Sequence, residues 1–199
     1  MELREVVRRR RMVRRFDPRP LPAGVLDRIL HSATRAPSAG FSQGLDLLVL
    51  EGPEAVRGFW AATTDPRFGT PYSTAEPPAI VLVLSDKQAY LDRYGTPDKA
   101  GLGMDTEEGW PVPYWHMDAA MAVMLMLLTA TDEGVGAWWF GVFHGAEALL
   151  RDLGVPEGRR LVGAVALGWP AADDRPSGSA RTRPRRPVDE VVHRGRWDR

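Results

Sequence analysis

Apolar residues along this chain follow two periods. Val25, Leu26, Ile29, Leu30, Ala33 and Ala36 recur every three or four positions, which predicts an amphipathic helix opened by Pro22 and ended by Pro37. Leu3, Val6 and Val7 give a shorter helix to about Arg9, and Pro53 to about Thr63, Lys87 to Tyr94 and Gly145 to Leu153 read as further helices. Ala79 to Leu84 is an unbroken apolar run, the pattern of a central strand covered on both faces. Leu45–Leu50 and Leu161–Leu167 read as two more strands, and the aromatic stretch Ala137–Phe143 as a strand or turn lining something. The clearest helix is Tyr114–Glu133. Its ten consecutive apolar residues, Ala119–Leu128, are half of the ~20 that a membrane span needs, so it should be buried centrally or at a subunit interface. Gly134 and Gly136 stop it, and Asp132 and Glu133 carry the wrong sign for its C-terminal dipole, so they require other partners.

Between these elements lie segments that carry candidate chemistry. Pro37 to Gly44 is a loop of small residues with one aromatic, Phe41. Thr64–Pro78 and Gly95–Pro113 are long and irregular, and loops of that length tend to be functional or mobile. After Pro170 the chain turns polar and rich in Pro, Arg and Ser. Residues 173–187 cannot fold alone, whereas Val191, Val192 and Trp197 are apolar enough to dock elsewhere. The 199 residues suit one domain, 1–199, in which 171–199 is an extended arm packing on a partner subunit.

Charge sharpens the picture at one place. Net charge is zero, yet six arginines fall within Arg8–Arg15. A solvated basic arm is the plain alternative to an anion site there. Neutrality overall and the lack of a recognition motif argue against a nucleic-acid binder. The chain has no cysteine, so no disulfide or thiolate metal site exists, which suits the cytoplasm. The segment from Glu2 onward is charged, with no apolar signal region, so secretion is not expected.

No G-x-G-x-x-G follows a strand and no P-loop or G-x-S-x-G occurs. The four histidines are scattered without metal-ligand spacing, so no metal is expected. A basic anion site, a small-residue loop, many aromatics and no acid–base set suit a protein whose chemistry a bound cofactor carries.

Four segments in order resemble the FMN-dependent nitroreductase family across nearly the whole chain. They are Arg10-Arg11-Met12-Val13-Arg14-Arg15-Phe16; Ala36-Pro37-Ser38-Ala39-Gly40-Phe41-Ser42-Gln43; the long helix leading into Gly134-Val135-Gly136; and Gly168-Trp169-Pro170 with the later Arg183-Pro184-Arg185-Arg186-Pro187. The resemblance implies an α+β, three-layer fold with a small mixed sheet flanked by helices, in an intertwined homodimer. It implies that Arg10, Arg11, Met12 and Arg14 meet the FMN phosphate and ribityl chain, with Arg183 and Arg185 reaching from the arm. Pro37, Ser38, Ala39 and Gln43 would line the flavin ring across the dimer interface, and Phe140 and Gly141 would present backbone to its redox-active edge. Phe41, Phe68, Tyr72, Trp110, Trp115, Trp138 and Trp139 are candidate substrate-pocket walls, though each taken singly fits a core as well. The implied activity is ping-pong electron transfer from NADH or NADPH through FMN to a small flat aromatic or related electrophile: a nitroaromatic, quinone or enone. No side chain need act as an acid or base. This chain departs from the family pattern at Met12 for serine, Phe41 for asparagine and Gly44-Leu45 for Pro-Trp, changes that bear on substrate class. A specialised flavin dehydrogenase of the same fold and a non-catalytic flavin-binding or storage protein remain alternatives.

Overall fold

A computed structural model describes residues 1–67, 76–176 and 179–197. Its strands are β1 (Phe16–Asp17), β2 (Leu45–Glu51), β3 (Ala79–Asp86), β4 (Gly136–Phe140) and β5 (Arg159–Pro170). Its helices are α1 (Leu3–Arg9), α2 (Val25–Ala33), α3 (Pro53–Thr63), α4 (Lys87–Tyr94), α5 (Tyr114–Asp132), α6 (Ala146–Asp152) and α7 (Ser179–Thr182).

The sheet runs β2-β3-β5-β4, with β1 pairing the C-terminal end of β5. Among the described residues each pairing of named strands is antiparallel, and one isolated bridge, Met12 to Ala137, is parallel. This corrects the mixed sheet that the resemblance implies. A fully apolar strand reads the same in either pairing, so direction was not legible in its pattern.

Strand alternation divides the core between two helix layers. Ala79, Val81 and Val83 of β3 and Val165 and Leu167 of β5 face α2 and α5. Ile80 and Leu82 of β3 and Ala164 and Ala166 of β5 face α3 and α6 through Val56, Phe59 and Leu149. All six residues from Ala79 to Leu84 are buried, which is why this run lacks the polar alternation of a half-exposed strand. At the Val83/Leu84 irregularity the β3–β5 register shifts by one residue. Gly163 lies beside it, and a Cβ there would stand 2.5 Å from the Trp139 ring, so only glycine admits this approach.

Several ends moved. α2 begins at Val25, not Pro22, because Gly24 at φ +80° turns the chain and the Pro22 carbonyl accepts the Val25 N–H. It ends at Ala33, and Thr34, Arg35 and Ala36 continue as turns bonded three residues back. β5 is longer than its apolar run at both ends. At the C-terminal end of α5 the two acids have partners: Glu133 takes both guanidinium nitrogens of Arg28 at 2.7 and 2.8 Å, and Asp132 takes the N-terminal amine. Among the described residues no helix is long and apolar enough to cross a membrane.

Candidate functional site

The arginine segment connects α1 to β1 and is held by hydrogen bonds and by counter-charges from its own chain. The Val13 N–H donates to the Ala137 carbonyl, which lays the segment along the start of β4. Arg8 and Arg9 both bind Glu5, and their hydrogen bonds hold that carboxyl at about 2, well below the usual carboxylate range. Arg15 pairs with Asp173 at 2.9 Å. Arg11 binds Asp174, whose side chain is 1% exposed and whose other oxygen accepts the Arg14 and Arg15 backbone N–H groups at 3.1 and 3.0 Å. Asp174 thus ties the arm to the arginine segment, and nothing in the polar tail sequence marks it out. The Arg14 guanidinium lies 5.8 Å from the Trp138 ring centre. Within this segment Arg10 is half-buried and has no side-chain partner among the described residues.

The second feature is the loop Ser38–Gln43. Gly40, Phe41 and Gln43 have φ of +61°, +59° and +55°, so three of four consecutive residues are left-handed. For a non-glycine residue this costs about 1–2 kcal/mol. Hydrogen bonds hold it there. Ser38 Oγ accepts the Gln43 N–H at 3.0 Å, the Ser38 carbonyl accepts the Phe41 N–H at 2.9 Å, and Arg93 Nε donates to the Gly40 carbonyl at 2.8 Å. The anchor is Asp118 on α5, 6% exposed, whose Oδ2 accepts the Ala39 N–H at 2.9 Å and the Tyr90 hydroxyl at 2.8 Å. Burial, and then this bond to Asp118, push the Tyr90 phenol up, so it stays a donor. A Cβ at Gly44 would meet the Asp86 carbonyl and the Tyr90 ring at 2.6 Å, which accounts for glycine at that position. Asparagine tolerates the left-handed region and phenylalanine does not, so Phe41 is strained as well as aromatic. It is 71% exposed. Pro37, Ser38, Phe41 and Gln43 line one side of a 190 Å³ cavity that Tyr90 and Asp118 close from behind.

Of the other residues singled out from the sequence, Phe140 ends β4 and Gly141 follows it, with Phe140 stacked on Trp138 at 4.4 Å and on Trp60 at 5.5 Å. Trp138 is buried between α3 and the sheet, and Trp110 and Trp115 are buried with Tyr90 in a separate small cluster. The Trp110 indole N–H is taken by the Met104 carbonyl at 2.7 Å. Trp110 and Trp138 are core, as expected where a large aromatic finds a close-packed niche, and Trp115, also buried, borders a second cavity. Trp139 is half-buried against the α5 layer. Arg183 and Arg185 are exposed on the arm. Phe68 and Tyr72 lie outside the described residues.

One face of α5 is open. Met117, Met121 and Met124 are 47%, 41% and 47% exposed, and on the arm Val188, Val191, Val192 and Trp197 are all at least half exposed.

Residues 7–169 match the model of the nitroreductase family. The chain belongs to that family. It is 29% identical over 202 residues to a Thermus thermophilus protein named NADH dehydrogenase, covering 92% of this chain and 91% of that one. Its fold matches a nitroreductase family protein of Clostridium difficile 630 with a TM-score of 0.74 over 99% of this chain and 100% of the other, at 19% identity. A Desulfovibrio desulfuricans protein solved in complex with FMN matches with a TM-score of 0.67 at 25% identity, covering 100% and 99% of the two chains. The sequence did not point to Asp118, Tyr90, Arg93 or Asp174 as supports of these segments. For Asp118 a signal existed, a single carboxylate at the head of an otherwise apolar helix face.

Proposed function

We propose that the protein is an FMN-dependent oxidoreductase that works as a homodimer, reduced by NADH or NADPH and oxidised by a flat electrophile such as a nitroaromatic, quinone or enone. The observation that carries this reading is Arg10. In a segment whose other arginines have partners within the chain, it is half-buried and uncompensated, as a phosphate ligand should be before its anion arrives. The donor set fits FMN in kind: a guanidinium for phosphate, Arg14 beside it, a pinned loop with small residues for a ring, and a strand-end backbone at Phe140–Gly141.

In this reading Arg10 and Arg14 hold the phosphate, while Arg11 and Asp174 keep the segment in shape; Arg183 and Arg185 approach when the arm wraps a second subunit. Met12 supplies an apolar wall where the family has a hydroxyl. Pro37, Ser38, Ala39 and Gln43 would line the ring from the partner subunit, and the Gly141 N–H would be a hydrogen-bond donor for the flavin. FMN, when bound, would supply the hydride and electron transfer of a ping-pong scheme. The protein binds, orients and excludes water, with Phe41 as an exposed aromatic cover for the stacked substrate. Phe41 in place of an amide also favours a second reading, a flavin-storing protein that nicotinamide does not reduce.

Steady-state rates with NADH or NADPH against a quinone test the proposal. Parallel double-reciprocal lines are expected, and Arg10→Ala should weaken FMN binding by about tenfold or more. Intersecting lines would reject the ping-pong scheme, and unchanged FMN affinity in the variant would reject Arg10 as the phosphate ligand.

A further inference from the structure

A second cavity, of 570 Å³, opens where the sheet is incomplete. β4 pairs with β5 only over Ala164–Gly168. Residues 159–163 of β5 therefore have β3 on one side and, among the described residues, no strand on the other. α5 closes the gap from one face and α6 from the other.

The cavity lining mixes charged, polar and apolar side chains. Ser85 of β3 and Arg160 of β5 are directly opposed across the antiparallel pair, so their side chains leave the same face of the sheet. Ser85 is fully buried, and its Oγ lies 2.9 Å from Nδ1 of His116 on α5. That bond occupies Nδ1 and leaves Nε2 for something else. Burial, and then the positive charge of Arg160, hold the His116 imidazole below its ordinary pKa, so it is neutral near pH 7. Trp115, Val142, Leu150 and Leu161 supply the apolar surface.

The charges on the wall identify the ligand class. Lys87 is paired with Glu107 at 2.5 Å, and Arg159 with Asp46 and Asp86 at 2.6 and 2.7 Å. Arg160 makes no ion pair or hydrogen bond through its side chain among the described residues. Its exposed guanidinium is open to a small anion, and Glu147 on the α6 wall disfavours a ligand with more than one negative charge. A volume of this size, with apolar side chains beside convergent hydrogen-bond donors, suits a small molecule.

We propose that this cavity binds a small monoanionic carboxylate with an aromatic or aliphatic body. The carboxylate sits on the Arg160 guanidinium and the Nε2–H of His116, with Ser85 donating to Nδ1 to fix that tautomer. The body lies against Trp115, Val142 and Leu150. The site shares no residue with the arginine segment or the Ser38–Gln43 loop, and it adjoins the proposed flavin edge through Val142, which follows Gly141.

Benzoate is the probe, titrated into the purified full-length protein and followed by calorimetry and by the ring nitrogen resonances of His116. Saturable binding that moves the His116 signals is expected, with benzyl alcohol, its uncharged analogue, at least about tenfold weaker, the scale of a charge-assisted hydrogen bond. Arg160→Gln should weaken benzoate by a similar factor, and Glu147→Gln should tighten it. Arg160 is exposed, so its variant should fold; far-UV circular dichroism checks this. No movement of His116, equal binding of benzyl alcohol, or unchanged affinity in Arg160→Gln would each overturn the proposal.

Discussion

The two long faces of α5 are equally apolar in sequence and lie in opposite surroundings. On one face Ala119, Ala122, Val123, Met126, Leu127 and Ala130 are at most 3% exposed, packed on α2 and the sheet. On the other, Met117, Met121 and Met124 are more than two-fifths exposed. The residue choice follows the difference. Alanine at 119, 122 and 130 lets the helix approach its neighbours closely, where an added methylene would have no room. Methionine, long and unbranched, suits a surface that must fit another surface still to arrive. A helix with no polar side is not explained by its own core alone, and the open face is what the proposed homodimer would cover.

Breaking the closed face should cost the most. Ala122→Asp puts an unpaired carboxylate at a position with no exposure, a loss of about 3 kcal/mol or more. The expected outcome is an insoluble or unfolded chain by far-UV circular dichroism. Asp118→Ala tests the N-terminal end of that face. It strands the Ala39 N–H and the Tyr90 hydroxyl, costing about 2–4 kcal/mol in urea unfolding, and it frees the Ser38–Gln43 loop. Asp118→Asn, which keeps an acceptor, should recover part of that loss.

The open face predicts the reverse pattern. Met121→Glu should leave the stability of the isolated chain within about 0.5 kcal/mol, as surface changes do. It should also halve the mass seen by light scattering and reduce FMN retention. A variant that keeps the mass and the flavin would remove α5 from the interface.

The smallest expected effect is a pH slope from His116, at the start of α5. Its folded pKa lies below the unfolded value of about 6.5, so the unfolded chain takes the proton first. Its contribution to stability is complete above that pH and is lost as the pH falls through it toward the folded pKa. Replacing His116 with Gln should flatten this part of the stability profile, read from thermal midpoints across neutral to mildly acidic buffers.

How much of this was legible in the sequence depends on the kind of signal. Period and punctuation placed α1, α3, α4 and α5 within a residue of their observed ends, because Pro53, Gly95 and Gly134 are local stops. They misplaced the start of α2, where Gly24 overrides Pro22 by reaching a backbone conformation that proline cannot. The aromatic count suggested pocket walls, yet Trp110 and Trp138 went to the core, and Trp115 packs there while bordering a cavity. Composition records how many rings a chain has and not which side of a strand or loop each one takes. The arginine cluster was visible as charge, but its division into five arginines partnered within the chain and one unpaired arginine rests on Glu5, Asp173, Asp174 and the Trp138 ring. The last three are more than 100 residues away in sequence. Strain at Phe41 and Gln43, and the carboxylate that sustains it from α5, are likewise tertiary facts.

The most direct test of the central claim is an anaerobic visible spectrum of the purified protein, recorded before and after NADH or NADPH is added. The account predicts a flavin band, present as purified or after FMN is supplied, that bleaches on reduction. A chain that shows no flavin band even after FMN is supplied, or one whose band persists with both nicotinamides, would contradict it.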